Sequence, residues 1–321
     1  FSFVGDKNFV LFSNPEVLVQ HFNIEIKDED VSLDVDSDWQ GSPLLAKGTI
    51  KNGIFDIDGY VEDFDYASLG NLAGLNLLGV ANADFTVRGQ KQDVILNLNT
   101  QNKLGSILGF NLGNLDTDLQ IDFGKHLINI ENGRGVIEDD KYQMEGEINY
   151  QNKDIYLKVK HHNLSYENLK LVYAPIFSKL SNMPKNEEVK LNLKADYEVS
   201  GKTDLNLLKV QGNIFSDRSI LYKEKFASMS TIFSFDKRIF KMDRIKLKKN
   251  PSEIDGSFFY NTLTSKGEYS FNLDKIIFSD LDNYPRDFFQ IDGNLVAKVE
   301  GKIENGFNNY QVDLGLNQSN V

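Results

Sequence analysis

Apolar and polar residues alternate along most of this chain, and a period of two narrows what it can fold into more than any other feature. Successive side chains of a β-strand point to opposite faces, so such a segment has one apolar and one polar side only when it is extended. Residues 31–35 (VSLDV), 83–87 (ADFTV), 94–98 (VILNL), 119–123 (LQIDF), 155–159 (IYLKV), 189–193 (VKLNL), 269–273 (YSFNL) and 310–316 (YQVDLGL) all carry the pattern. Turn sequences lie between them: Lys51-Asn52-Gly53, Glu131-Asn132-Gly133, residues 150–154 (YQNKD) and Glu304-Asn305-Gly306. The expected class is all-β with antiparallel pairing.

Helical signals are few. Asn14-Pro15-Glu16 has the form of a cap with proline at the first helical position, and Val17, Leu18 and Phe22 would supply an apolar face. In residues 166–181, Leu169, Val172, Ile176 and Leu180 have helical spacing, with Pro175 set to kink or split the helix. The charge-free run 67–83 (ASLGNLAGLNLLGVANA) reads as a loop and short helix packed on something. No stretch reaches the roughly 18 apolar residues of a membrane span. The six prolines are expected at turns and helix starts, since proline cannot donate to a ladder.

Self-similarity organises the chain further. Three segments are short alternating strands that end in glycine: 81–89 (ANADFTVRG), 193–201 (LKADYEVSG) and 293–301 (GNLVAKVEG). In register, Ala83, Ala195 and Leu295 correspond, as do Phe85, Tyr197 and Ala297, then Val87, Val199 and Val299, then the glycine. Upstream of them, Met144-Glu145-Gly146 with Leu164-Ser165-Tyr166 resembles Ile254-Asp255-Gly256 with Phe278-Ser279-Asp280, and Ile57-Asp58-Gly59 with Phe64-Asp65-Tyr66 is a shorter copy. Repeats of this kind stack and cover each other's edges. The expected organisation is an N-terminal part with strands and a short helix (1–45) and three β-repeats (46–110, 111–201, 202–321), all in one continuous elongated sheet.

Composition removes several kinds of chemistry. Thirty-five Lys and Arg against 47 Asp and Glu give a formal charge of −12, the wrong sign for a protein that gains affinity by neutralising phosphates, so no nucleic-acid partner is expected. There is no cysteine, hence no disulfide framework and no thiolate metal site. Asp34, Asp36 and Asp38 form a D-x-D-x-D run, but no glycine and acid follow at EF-hand spacing, and a solvated strand face explains it better than calcium. His161 and His162 are adjacent, so on a strand they point to opposite faces, and a surface pair is expected rather than a metal site. Asp139-Asp140 and Glu187-Glu188 are the paired carboxylates open to glycoside chemistry, with only Trp39 as an indole platform. No G-x-S-x-G, H-E-x-x-H or P-loop occurs. No enzyme and no cofactor is expected.

The residues that carry a family resemblance are 210–260, with an apolar strand (232–235) followed by a charged one (240–247) and Glu253-Ile254-Asp255-Gly256-Ser257-Phe258, and then 278–301. In these patterns of alternation and glycine placement, over roughly residues 45–305, the chain resembles the AsmA-like superfamily, most of all its TamB-like proteins. The resemblance implies a long, curved, mostly antiparallel sheet with a few short helices, folded as a half-pipe or taco-like groove with an apolar lining. It implies a periplasmic location in a Gram-negative envelope, anchored to the inner membrane by an N-terminal helix. This chain starts at Phe1 without such an anchor, so it is expected to be a segment of a longer protein. Two roles are implied: carrying phospholipid between the inner and outer membranes, with acyl chains as the bound partner, or assembling outer-membrane β-barrels with a TamA-like partner.

The candidate lining residues are Phe85, Val87, Leu96, Leu98, Ile121, Phe123, Leu157, Val159, Tyr197, Val199, Phe271, Leu273, Val299 and Leu314. The same residues would also suit the closed core of a sandwich. Two other classes remain open. An acidic, cysteine-free, Asn-rich chain also suits a β-repeat adhesin or stalk, and an enzyme on a β-solenoid would show a cleft with converging carboxylates.

Overall fold

A computed structural model describes residues 2–5, 9–13, 16–27, 30–39, 41–67, 70, 76–90, 93–172, 188–204, 206–277, 282, 292–304 and 307–320. The chain is all-β and antiparallel, with about 80% of its described residues in strands. In chain order the first strands are β1 (Ser2–Gly5), β2 (Phe9–Ser13), β3 (Glu16–Lys27), β4 (Asp30–Trp39), β5 (Ser42–Lys51) and β6 (Ile54–Asp65). Next come β7 (Leu77–Gln90), β8 (Asp93–Ile107), β9 (Phe110–Asp122), β10 (Leu127–Ile137), β11 (Asp140–Asn149) and β12 (Asp154–Ser165), then the helix α1 (Tyr166–Val172). After it follow β13 (Val189–Lys190), β14 (Asn192–Lys202), β15 (Leu208–Ser216), β16 (Ser219–Leu221), β17 (Glu224–Phe226) and β18 (Ser228–Asp236). The last are β19 (Ile239–Lys248), β20 (Glu253–Asn261), β21 (Lys266–Ile277), β22 (Asp292–Glu304) and β23 (Phe307–Asn320). Two compact units divide the chain: residues 1–137 with 143–157, and residues 138–142 with 158–321.

In the first unit, strands β3 to β10 pair each with the next in chain order, and β1 and β2 share the edge of β3 that β4 leaves open. Residues opposite one another in an antiparallel pair share a face. One row therefore runs Phe22, Val35, Ala46, Gly59, Phe85, Leu98, Leu119, Ile130 across eight strands, and its neighbour runs Ile24, Leu33, Gly48, Ile57, Val87, Leu96, Ile121, Ile128. The other side carries a polar row, in which Asn97 donates to Thr86 (3.1 Å), Gln120 to Asn97 (3.2 Å) and Asn129 to Gln120 (3.3 Å). Those cross-strand side-chain bonds give Asn97 and Asn129, which the alternation places outward, their partners.

Hairpin turns follow the local chemistry. Asn52 and Gly53 both have positive φ (50° and 73°) between the paired Lys51 and Ile54, the geometry of a two-residue turn whose twist matches the strands. Asn149 closes the β11–β12 turn by accepting from the amides of Gln151 and Asn152, both at 3.1 Å. Asn305 and Gly306 lie outside the described residues, but Glu304 and Phe307 on either side of them pair. Glu131-Asn132-Gly133 does not form the expected hairpin. It lies inside β10, where Asn132 (φ 52°) makes a bulge and the register against β9 shifts between Glu131 and Arg134.

Two further expectations are corrected. No helix follows Glu16: β3 begins there, because Val17, Val19, Phe22, Ile24 and Ile26 satisfy a period of two broken once by a bulge at Val19/His21. In the charge-free run, residues 77–83 are the start of β7 rather than loop, while 68–69 and 71–75 lie outside the described residues. The helix expected over 166–181 is present as α1, and its continuation from 173, with Pro175 and Pro184, falls outside them. Pro43 is the second residue of β5 and Pro251 lies between β19 and β20, so both are near strand starts. Among the described residues no helix is long and apolar enough to cross a membrane, which says nothing about strands.

The glycine-ended repeats are alike in only two copies. Gly89 and Gly201 end β7 and β14 at φ 135° and 107°, where an added Cβ would run into the backbone carbonyls of Asp93 and Leu207. Gly301 has no such φ and is needed for a different reason, because the ring of Tyr269 on the neighbouring strand lies where its Cβ would be.

Inside the first unit, Val61, Phe64, Tyr66, Ala81, Ala83, Leu98 and Ile121 form a buried cluster. The Tyr66 ring meets Phe64 edge-on at 6.0 Å, and burial pushes its phenol up to about 12. The unfolded chain ionises this phenol near pH 10, so folding favours the protonated form and the stability it contributes is lost as pH rises from about 10 to 12. Alkaline unfolding of the first unit should therefore steepen by about 2–3 kcal/mol across that window. Tyr66→Phe should flatten the dependence, as read by circular dichroism alongside phenolate absorbance. Gly89→Ala should cost on the order of 1–3 kcal/mol, seen as faster amide exchange confined first to the β7–β8 hairpin.

Candidate functional site

The second unit repeats the logic of the first with larger side chains. Strands β14, β15 and β18 to β23 pair in that order, while β13, β16 and β17 make a separate three-stranded sheet. Across the larger sheet one row runs Tyr197, Gly212, Phe233, Met242, Phe258, Tyr269, Gly301, Tyr310. A second runs Ile245, Gly256, Phe271, Val299, Val312, and a third runs Met229, Leu247, Ile254, Leu273, Ala297, Leu314. All three lie on the same side of the sheet.

Register is what keeps them there. Within β19, Phe240 and Met242 are in phase with each other but out of phase with Ile245 and Leu247. A bulge at Arg244 (φ 52°) absorbs the extra residue, so both pairs reach the apolar side. Glycines alternate with rings for a related reason. A Cβ at Gly256 would overlap the Phe271 ring, as one at Gly301 would overlap Tyr269, so these rings lie flat on the neighbouring backbone. Ring centroids then succeed one another: Tyr197 to Phe233 6.0 Å, Phe233 to Phe240 6.4 Å, Phe240 to Phe258 6.2 Å, Phe258 to Tyr260 6.4 Å.

This aromatic face is unevenly covered, with Tyr260 and Ala297 buried on β20 and β22. Phe233 is buried, whereas Met242, Phe258, Tyr269 and Phe271 are half-buried although they stand on interior strands. On β23, Tyr310 is 68% and Leu314 69% exposed. A face closed under a second layer would stay buried through its interior strands. The apolar surface here is offered to something other than the described residues of its own sheet.

Of the expected lining residues, Tyr197, Val199, Phe271, Leu273, Val299 and Leu314 fall on this one face. Phe85, Val87, Leu96, Leu98 and Ile121 fall together on the apolar face of the first unit. Phe123 lies beyond the end of β9 in an exposed turn, so strand alternation does not govern its direction. Leu157 and Val159 alternate as buried residues on β12, one in each unit. Phe233, Phe240, Met242, Phe258, Tyr260, Tyr269, Tyr310 and Val312 belong to the face and were not among the expected residues. The phase break in Phe240–Leu247 was the sequence signal for part of them.

The deep end of the face is polar. His161 is not a surface histidine: it is 2% exposed, its Nδ1 meets the fully buried carboxylate of Asp140, and its Nε2 lies 3.2 Å from the Tyr197 hydroxyl. With Asp140 as the acceptor, Nδ1 carries the proton. The other Asp140 oxygen accepts from the Asn163 amide at 3.2 Å. Tyr142 and Tyr197 sandwich the imidazole at 5.2 and 5.8 Å, and burial, followed by the Tyr197 and Asp140 fields, raises the Tyr142 phenol well above its ordinary value. His162 points the other way and is exposed, as its position on the strand requires. The network ties β11, β12 and β14 together around a buried His161.

The other candidate groups do not converge. Asp34 pairs with Lys47 at 3.0 Å on β4, with Asp36 exposed beside it. Asp139 accepts from Asn168 (3.2 Å) while Asp140 faces His161, so the two carboxylates are not a catalytic pair. Glu187 and the Trp39 side chain lie outside what is described. Among the described residues no three His, Asp or Glu side chains gather as a metal site would require. Comparison with protein-family models, with curated proteins and with solved structures finds no match to this chain.

Asp140→Ala removes the acceptor for His161 Nδ1 and for the Asn163 amide at once. It should cost about 2–4 kcal/mol, because two donors at a buried site lose their acceptor together. Chemical denaturation of the second unit, followed by its tyrosine signals, measures this.

Proposed function

We propose that this chain is a segment of a periplasmic bridge between membranes, in which an apolar sheet face carries phospholipid acyl chains. The single observation behind the reading is the face of the second unit, continuous over β18 to β23 and open toward β23. Moving an acyl chain of ~16 methylenes through water costs on the order of 13 kcal/mol at ~0.8 kcal/mol each. A surface that removes most of that cost needs rows of apolar side chains at strand spacing and no deep specific pocket, so that the chain can slide. Rows whose members stand about 4.7–4.9 Å apart from strand to strand, with rings laid flat over glycines, supply such a track. On this reading the protein is not an enzyme, works without a cofactor, and depends on an inner-membrane anchor outside residues 1–321.

One observation favours a second role. Among the described strands, β23 pairs on one side only, with β22, and it exposes Tyr310, Val312 and Leu314. An edge of that kind can accept an incoming strand, as assembly of a barrel protein with a TamA-like partner would use.

Photo-crosslinking amino acids at Phe85, Phe271 and Tyr310 decide between them in Gram-negative cells. Lipid adducts at Phe85 and Phe271, and none at Ser270 or Glu300 on the opposite face, are the expected result. Adducts equal on both faces would remove the lipid reading, and protein adducts confined to Tyr310 would replace it with the strand-accepting role.

A further inference from the structure

A partly open pocket of about 320 Å³ lies at one end of the small β13–β16–β17 sheet, lined by none of the residues of the open face. Its size is at the lower end of the range for small-molecule pockets, about 300–1,000 Å³. Three chain ends meet there: Lys190 closes β13, Ser219 opens β16 and Phe226 closes β17, held by the pairs Lys190 with Ile220 and Ser219 with Phe226. Leu191, Ile220 and Phe226 give the cavity apolar walls.

Two features of its lining are unusual in combination. Ser219 is 2% exposed, and its hydroxyl has no hydrogen-bond partner among the described residues. A buried hydroxyl in that state is rare unless something else completes it. Around the mouth stand Lys190, Arg218 and Lys225, all exposed, and none in an ion pair with a described residue.

Among the described residues, three acids beside those cations are already engaged. Asp217 pairs with Lys194 at 2.9 Å. Glu224 and Asp282 both hold Lys249, Asp282 at 2.9 Å. Burial draws the Lys249 ammonium down, but the two carboxylates outweigh it and its pKa rises. Asp282 also accepts from the Lys225 backbone amide at 2.9 Å, and the Lys249 hydrogen bond, followed by that amide, keeps its carboxyl low. The rim is therefore positive in a chain whose formal charge is −12.

We infer that this cavity binds an amphiphile with an anionic head: the apolar tail against Leu191, Ile220 and Phe226, the carboxylate or phosphate among Lys190, Arg218 and Lys225, with the Ser219 hydroxyl donating to it. Apolar walls alone would accept any tail. The cationic rim selects the sign of the head, and the buried hydroxyl fixes its depth. The site does not depend on the open sheet face for its lining, and it does not need that face to carry lipid.

The test uses the whole 321-residue chain with isoleucine and leucine methyls labelled, titrated with decanoate, decyl phosphate, decanol and decyltrimethylammonium below their micelle concentrations. The two anions should shift the Ile220 and Leu191 methyls and bind at least tenfold more tightly than decanol, with the cationic amphiphile weakest. The triple variant K190Q/R218Q/K225Q, altered only at exposed side chains, should lose that tenfold preference while methyls distant from the cavity keep their positions. S219A should weaken the anions several-fold and leave decanol unchanged. Equal affinity for decanol and decanoate, or no shift at Ile220 with any ligand, would overturn the inference. So would inorganic phosphate alone binding as tightly as decyl phosphate, which would make this a free-anion site. Because the readout is at Ile220 and Leu191, a negative result here leaves the crosslinking at Phe271 untouched, and the converse also holds.

Discussion

Everything in this structure depends on the antiparallel ladder and its rule that residues opposite one another share a face. Backbone hydrogen bonding fixes the strands, but it is indifferent to which side the apolar residues occupy. Sidedness comes from register, and a slip of one residue would turn a strand inside out. At Asp63, Asn132 and Arg244 the chain corrects its phase, each time with a non-glycine residue at positive φ inside a register shift. Without the correction at Arg244, either Phe240 and Met242 or Ile245 and Leu247 would face the polar side.

The two units use that rule toward different ends. In the first, medium-sized residues and a buried aromatic cluster around Tyr66 fill the apolar side, with Thr100 and Thr117 bonded to carbonyls at 3.2 Å where polar atoms are enclosed. In the second, rings dominate, glycines let them lie flat, and the face is bare on β23. At its deep end the row stops against the Asp140–His161–Tyr197 chain, in which each buried polar group has a partner. A face that is rigid and satisfied at one end and bare at the other is suited to contact with something apolar that arrives from the bare end.

Much of this was legible in the sequence, because a period of two is a direct image of a strand with unlike faces. Seven of the eight alternating segments fall in single strands, apart from Phe123 just past the end of β9, while 189–193 breaks at Leu191 between β13 and β14; six of the expected lining residues share one face of the second unit. What was not legible has physical causes. Val17, Leu18 and Phe22 also fit a helical face, and only pairing with β4 decides for β3. Asn132-Gly133 has the chemistry of a hairpin turn, yet a bulge needs the same positive φ. His161 looked like a surface residue because its partners, Asp140 and Tyr197, are 21 and 36 residues away in the chain. Ser219 carried no signal at all, since an unmet hydroxyl is a property of its surroundings.

In each unit the pairing runs from one strand to the next in chain order, with few exceptions, so nearly every ladder is closed by a short turn. The entropy of closing such loops is small, and no strand has to wait for a partner made much later. A chain of this kind can fold as it emerges, adding one hairpin at a time to an existing edge, and each new strand covers the template left by the previous one. Delivery of the polypeptide through a narrow pore, end first, would then present no obstacle to reaching the native register, and partially delivered chains would expose only a single growing edge.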